Sequence, residues 1–183
     1  MHGNATVTIA HWVEPQKQSG GFSPTACSYG AIIDMDGAIR RKLWGAGYAS
    51  YPILPLSFAI AASLKFLPPE CRLIIHGIEE LGQYFGPIGY VAAASRRGGC
   101  NRQGKPMAGF QHLRAVQDAM VHGKWDLITH KDIWEAPNYF EARVLADEPG
   151  RQRAEAHKRS IGVRNEHLLE PQMVHEEVVD DCA

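Results

Sequence analysis

The chain has 183 residues and a mass of 20.2 kDa, enough for one domain with a proper core and too short for two large ones. Hydrophobic residues make up 45% and charged residues 21%, an ordinary globular composition that excludes a disordered or fibrous chain. Nineteen Lys and Arg against twenty Asp and Glu leave a net charge of -1, which excludes an overall polybasic protein but not a local basic patch. The most apolar stretch, Ile53 to Leu67, is broken by Pro55 and Lys65 and is too short to span a bilayer, so no membrane partner is expected. Met1 to Asn4 lacks the basic start and apolar run of a signal peptide. Cys27, Cys71, Cys100 and Cys182 lie far apart with no CxxC pair. Reduced thiols in a cytoplasmic location are therefore the expectation, rather than a disulfide framework or structural zinc.

In chain order, Thr6 to Val13 reads as a strand of β-branched and aromatic residues. A turn-rich loop from Glu14 to Pro24 follows, and Ser28 to Met35 is a second strand. Asp36-Gly37 is a hairpin signal, and Ala38 to Ser50 returns as a third strand, so the first three run antiparallel in succession. The period then changes. Pro55 to Phe66 suits a largely buried helix, started near Pro55 and ended by Pro68-Pro69. Arg72 to His76 is a short apolar strand, expected to be parallel and covered on both faces. A helix begins near Glu79-Glu80 and is interrupted at Gly86-Pro87. Pro106 to His122 is amphipathic, with Phe110, Leu113, Val116 and Met120 three or four apart. Trp125 to Thr129 is a fifth strand, and Tyr139 to Ala146 opens a closing helix. After Pro149-Gly150 the chain turns polar, which places a domain over residues 1–150 and a charged helical or extended tail over 151–183. The order β-β-β-α-β-α-α-β-α implies a three-layer α/β arrangement on a mixed sheet.

Several phrases carry a resemblance in that same order. They are Tyr29-Gly30-Ala31-Ile32 and Gly45-Ala46-Gly47-Tyr48 on the second and third strands, and Cys71-Arg72-Leu73-Ile74-Ile75 on the fourth. Trp125-Asp126-Leu127-Ile128-Thr129-His130 on the fifth strand and Val144-Leu145-Ala146 on the last helix complete the set. Together they resemble the type 1 ribonuclease H domain of the ribonuclease H-like superfamily, over roughly residues 5 to 150. The resemblance implies a five-stranded mixed sheet with strands 1–3 antiparallel, strands 4 and 5 parallel to strand 1, and helices on its faces. It also implies two-metal phosphodiester chemistry, in which clustered carboxylates hold paired divalent ions. The family's four acidic positions fall here on His11 or Trp12, on Leu56 or Ser57, on Ile78 directly before Glu79, and near Arg143, with Glu141 two residues away. His130 stands where the family carries a histidine after the fifth strand. Hard magnesium needs oxygen ligands, which His11, Leu56 or Ser57, and Ile78 are not expected to supply, although a one-residue slip at the third or fourth position would bring in Glu79 or Glu141.

Other residues compete for a role. Leu81 to Gln117 contains no Asp or Glu, yet carries Arg96, Arg97, Arg102 and Lys105 in a glycine-rich stretch. In the resembling family a basic segment here grips nucleic-acid backbone, and a solvated flexible loop is the bland counterpart. Asp34-Met35-Asp36-Gly37 resembles the DxDG motif of haloacid dehalogenase-type phosphatases, but the alternating residues after it favour a hairpin. His11, His76, Glu79, Glu80 and His130 would approach one another at strand ends and offer transition-metal ligands, although strand-end histidines more often only form hydrogen bonds. Tyr84, Phe85 and Tyr90 around Gly86-Pro87 offer aromatics to a partner or to the core. No metal site is assigned and no cofactor is expected, apart from magnesium or manganese in a divergent nuclease. The expected function is a catalytically degenerate ribonuclease H-like domain that binds an RNA–DNA hybrid or double-stranded RNA without cleaving it. The alternatives are a divergent nuclease using His11, Glu79, Glu141 or His130, a protein-interaction scaffold or homo-oligomer, and a phosphatase using Asp34 and Asp36.

Overall fold

The computed structural model describes residues 4–15, 25–35, 39–49, 53–68, 71–107, 109–123, 125–159 and 174–180. Three long strands come first, β1 (Asn4–Val13), β2 (Thr25–Met35) and β3 (Ile39–Ala49), followed by α1 (Ile53–Leu64) and β4 (Arg72–Ile78). Two short helices, α2 (Glu79–Tyr84) and α3 (Tyr90–Ser95), lead to α4 (Phe110–Gly123) and β5 (Asp126–His130). A 3-10 turn at Ile133–Glu135 precedes α5 (Tyr139–Arg159), and β6 (Val174–Asp180) comes last. The sheet order is β5-β4-β1-β2-β3-β6. β1, β2 and β3 pair antiparallel, and β4 and β5 run parallel to β1, as the resemblance implies.

Two features extend the expected layout. The sheet has six strands rather than five, because β6 pairs antiparallel with β3 along Ile39 to Gly45. Its register sets Glu177 opposite Lys42 and Val178 opposite Arg41, so an acidic strand lies along a basic edge. The second feature is α5, which passes through Pro149-Gly150 and continues to Arg159, so the expected boundary at residue 150 falls inside a helix.

The main core lies between the sheet and helices α1 and α4. Val7, Ile9, Tyr29, Ala31, Ile33 and Leu43 meet Leu54, Leu56 and Ile60 of α1 and Leu113 and Val116 of α4. Helix α1 is buried as expected, and its two serines are satisfied within it. Ser57 donates to the Leu54 carbonyl at 2.7 Å and Ser63 to the Ala59 carbonyl at 2.8 Å. The opposite face is covered by α5, which crosses β1, β2 and β3. There Ala10 and Ile32 meet Ala142, with Tyr139 and Leu145 against them.

β4 departs from the expectation of two covered faces. Leu73, Ile75 and Gly77 are buried, whereas Ile74, His76 and Ile78 are half-buried, because α5 lies over the other half of the sheet. The break at Gly86-Pro87 is present as expected. Gly86 has φ 128°, its N–H donates to Gln117 Oε1 of α4 at 2.9 Å, and Phe85 beside it is buried. Tyr84 and Tyr90 stack edge to face at 5.3 Å across the break, so the aromatics there serve packing first.

Glycine permits the α5 contact. A Cβ on Gly30 would sit 2.1 Å from the Ala142 carbonyl oxygen and 2.8 Å from Leu145 Cβ. A Gly30→Ala substitution therefore forces the helix off the sheet. It should cost about 1–3 kcal/mol or more, read as a lower urea midpoint with an unchanged slope. A midpoint equal to wild type would mean that the helix is not seated as tightly as this contact requires.

Candidate nucleic-acid interface

The basic stretch forms a built turn. Its chain leaves α3 through Arg96 in a helical conformation and reverses through Gly98 and Gly99, both at positive φ. The Gly99 N–H returns to the Ala94 carbonyl at 2.9 Å, and Cys100 bridges to Pro106. Asn101 closes the tip: its side-chain oxygen accepts from the N–H groups of Gln103 at 2.9 Å and Lys105 at 3.0 Å. Arg96, Arg97, Arg102 and Lys105 are all exposed on this frame. Arg97 Nε donates to the Cys100 carbonyl at 3.2 Å. The turn therefore presents its cations on an internally hydrogen-bonded backbone, in place of the slack loop that its glycines also allowed.

A second group lies toward the C-terminal ends of β1, β4 and β5, with α5 packed over β1. Arg143 Nη1 donates to the His11 carbonyl at 2.5 Å, and its Nε lies 2.8 Å from Asp147, one turn further along α5. Burial pushes the His11 pKa down to about 4, the Arg143 cation adds to the shift, and Glu80 at the start of α2 opposes it. His76 and His130 meet on adjacent strands, with Nδ1 and Nε2 2.8 Å apart, so one ring donates and the other accepts. Burial, aided by His130, also holds His76 below its ordinary pKa.

The remaining candidates are dispersed. Glu141 pairs with Lys42 of β3 at 3.0 Å, two strands from β1 on its far side from β5. Glu79 is exposed at the start of α2, directly after the half-buried Ile78. Leu56 and Ser57 are fully buried in the core, where Ser57 lies 3.1 Å from His112 Nε2. The structure thus joins His11 with Arg143 and His76 with His130, and holds Glu141 apart from both pairs. Among the described residues no three His, Cys, Asp or Glu side chains are grouped to hold a metal ion, so the expected convergence of His11, His76, Glu79, Glu80 and His130 stops at the histidine pair.

The strands on either side of the DxDG phrase, β2 and β3, pair antiparallel. Asp34 lies in β2 between the antiparallel partners Thr6 and Arg40, and Asp36 lies outside the described residues. Asn138 Nδ2 donates to the Asp34 carboxylate from just before α5. Asp34 therefore anchors a helix, and no helix follows its strand as the phosphatase arrangement requires. Two residues in this region escape sequence reasoning. In the sequence Arg143 marks only a missing carboxylate, and Asn138 carries no motif. Asn138 sits at φ 58°, a left-handed position that asparagine tolerates. Its place after Pro137 is the one available signal.

The histidine environment makes acid stability predictable. Unfolded, His11 titrates near its ordinary 6.5; folded, it takes a proton only near pH 4. The unfolded state thus binds more protons between these values, so this contribution is complete above pH 6.5 and is lost as pH falls toward 4. The thermal midpoint should drop across that window, and His11→Gln should flatten part of the drop. An unchanged slope in that variant would place the acid sensitivity in other groups.

No protein-family model matches the sequence, and no curated protein does. Solved structures do match. One is LC9-RNase H1, a type 1 ribonuclease H with the type 2 active-site motif: TM-score 0.58 at 12% identity, over 83% of this chain and 74% of that one. The foamy virus (PFV) ribonuclease H domain matches with TM-score 0.50 at 9% identity, over 85% of this chain and 97% of that one. The foamy viral protease-reverse transcriptase in complex with RNA/DNA hybrid matches with TM-score 0.50 at 9% identity over 83% of this chain, and the chain spans only 20% of that protein's length. Identities this low speak for architecture, and no described helix is long and apolar enough to cross a membrane. The chain has a ribonuclease H-like α/β fold.

Proposed function

We propose that this domain binds a nucleic-acid duplex, an RNA–DNA hybrid or double-stranded RNA, without cleaving it. The observation that carries the reading is the guanidinium of Arg143 on the His11 carbonyl. It puts a fixed cation where the resemblance expects two carboxylates. A pair of divalent ions needs several anionic oxygens at that place. His11, Leu56 or Ser57, Ile78 and Arg143 offer a neutral imidazole, a group fully buried in α1, an apolar side chain and a positive charge, so these residues do not fit the metal pair. No hydrolytic step is derived through it.

Binding draws its support from the turn. Four cations stand on one internally bonded frame in a stretch free of carboxylates, as contacts to phosphate require. A foamy viral protein in which this fold occurs has been solved in complex with RNA/DNA hybrid, which makes the hybrid the natural first ligand to test.

The test is a gel titration with a labelled RNA–DNA hybrid, in magnesium and then in manganese. Retardation of intact hybrid is expected in both. Cleavage of the hybrid would show that oxygen ligands are recruited from elsewhere, Glu79 included, and would sink the reading. Replacing Arg96 and Arg97 by alanine should weaken binding and make the dependence of log affinity on log salt shallower by about 0.7–0.9 for each phosphate that is no longer neutralised. Unchanged affinity after charge reversal at both residues would remove the turn from the interface.

A further inference from the structure

Arg143 combines fixation with access. Its side chain is 38% exposed, yet its guanidinium is held on one side by the His11 carbonyl and on another by Asp147. A guanidinium carries five N–H donors in a planar fork. The His11 carbonyl takes one of them, and the Asp147 contact is an ion pair at Nε. The remaining donors have no acceptor among the described residues.

We propose that this guanidinium binds a backbone phosphate of the duplex directly, so that this end of the sheet engages nucleic acid without a bridging metal ion. The inference rests on the nucleic-acid reading above and adds a residue and a contact to it. A carboxylate facing a phosphate repels it unless a cation stands between them, whereas a guanidinium attracts it with no intermediary. The planar fork also matches two phosphate oxygens at once, and a side chain already fixed by two neighbours loses little freedom on binding. Asp147 and Glu80 are the acidic groups nearby. Asp147 holds the Nε edge, and Glu80 lies at the start of α2 within the field of His11.

From Glu80 the chain runs through α2, a short link and α3 to Arg96. Two six-residue helices and a five-residue link cover at most about 35 Å. Arg96 therefore lies within about 35 Å of Glu80, the carboxylate that acts on His11 beside Arg143.

The experiment measures hybrid affinity across a salt series for wild type, Arg143→Gln and Arg143→Lys, each with magnesium and with EDTA, with thermal melting to confirm folding. Arg143→Gln should lose about tenfold in affinity and have a salt slope shallower by about one phosphate contact. Arg143→Lys keeps the charge without the fork, so it should recover the slope and only part of the affinity. EDTA should change none of these values. A folded Arg143→Gln with wild-type affinity and slope overturns the inference, as does wild-type binding that EDTA abolishes. If Arg143→Gln does not melt cooperatively, Arg143→Lys decides alone: full wild-type affinity in it means that the fork contributes nothing, and the proposal falls. Loss of binding on mutating Arg96 and Arg97 but not Arg143 rejects this contact and keeps the general reading. No hybrid binding by wild type rejects both.

Discussion

Helix α5 lies on the sheet at a place where β2 has no side chain. Gly30 lets the Ala142 carbonyl and the Leu145 side chain come within a distance that any Cβ would forbid, and Gly150 does the same against Trp12 and Ser28. Between these two contacts, Ser28 donates to the Ala146 carbonyl. A proline inside a helix removes one N–H and crowds the carbonyl four residues before it. The sheet thus receives the helix just where Pro149 weakens the helix's own hydrogen bonding. The dipeptide after which the sequence turns polar is, in place, inside α5 and seated against Trp12 of β1 and Ser28 of β2.

Everything at the candidate centre follows from that seat. With Ala142 and Ala146 against the sheet, Arg143 turns toward β1 and Glu141 toward β3. The two are two residues apart, about 200° around a helix, so they cannot serve one cluster. A carboxylate that looks near in the sequence is thereby spent on Lys42, and the charge that reaches His11 is positive. Asn138 and Asp34 fix the start of the helix and set its phase relative to the strands.

The two halves of the surface differ in how they are organised. The basic turn is local: its glycines, Asn101 and the bridge at Cys100 and Pro106 build it from neighbours in the chain. The strand-end group is nonlocal, since His11 and Arg143 are separated by most of the chain. Because its chemistry is local, the turn is visible in the sequence as a cationic unit. The partner of Arg143 is hidden there, because it comes from the far end of the chain. The exposed Trp134, Phe140 and Val144 lie along the turn after β5 and the outer side of α5, and nothing in the structure shows what covers them.

Much of the architecture is legible because its signals are periodic or punctuated. Alternation marks the strands, Asp36-Gly37 the hairpin and the spacing of Phe110, Leu113, Val116 and Met120 the amphipathic α4. The ordered phrases then supply the connection order of the sheet. The acid-free run around Arg96 to Lys105 is a matter of composition alone. What the sequence leaves open is decided by packing at a distance. β6 completes the sheet because β3 offers an unpaired edge, a fact about neighbours in space rather than about the charged tail itself. β4 is half-covered because α5 is seated over β1, β2 and β3. The direction of Arg143, the pairing of His76 with His130 and the commitment of Glu141 to Lys42 depend on helix phase and strand register. Residue types set which chemistry is available, and only the close approach of helix to sheet determines which groups meet.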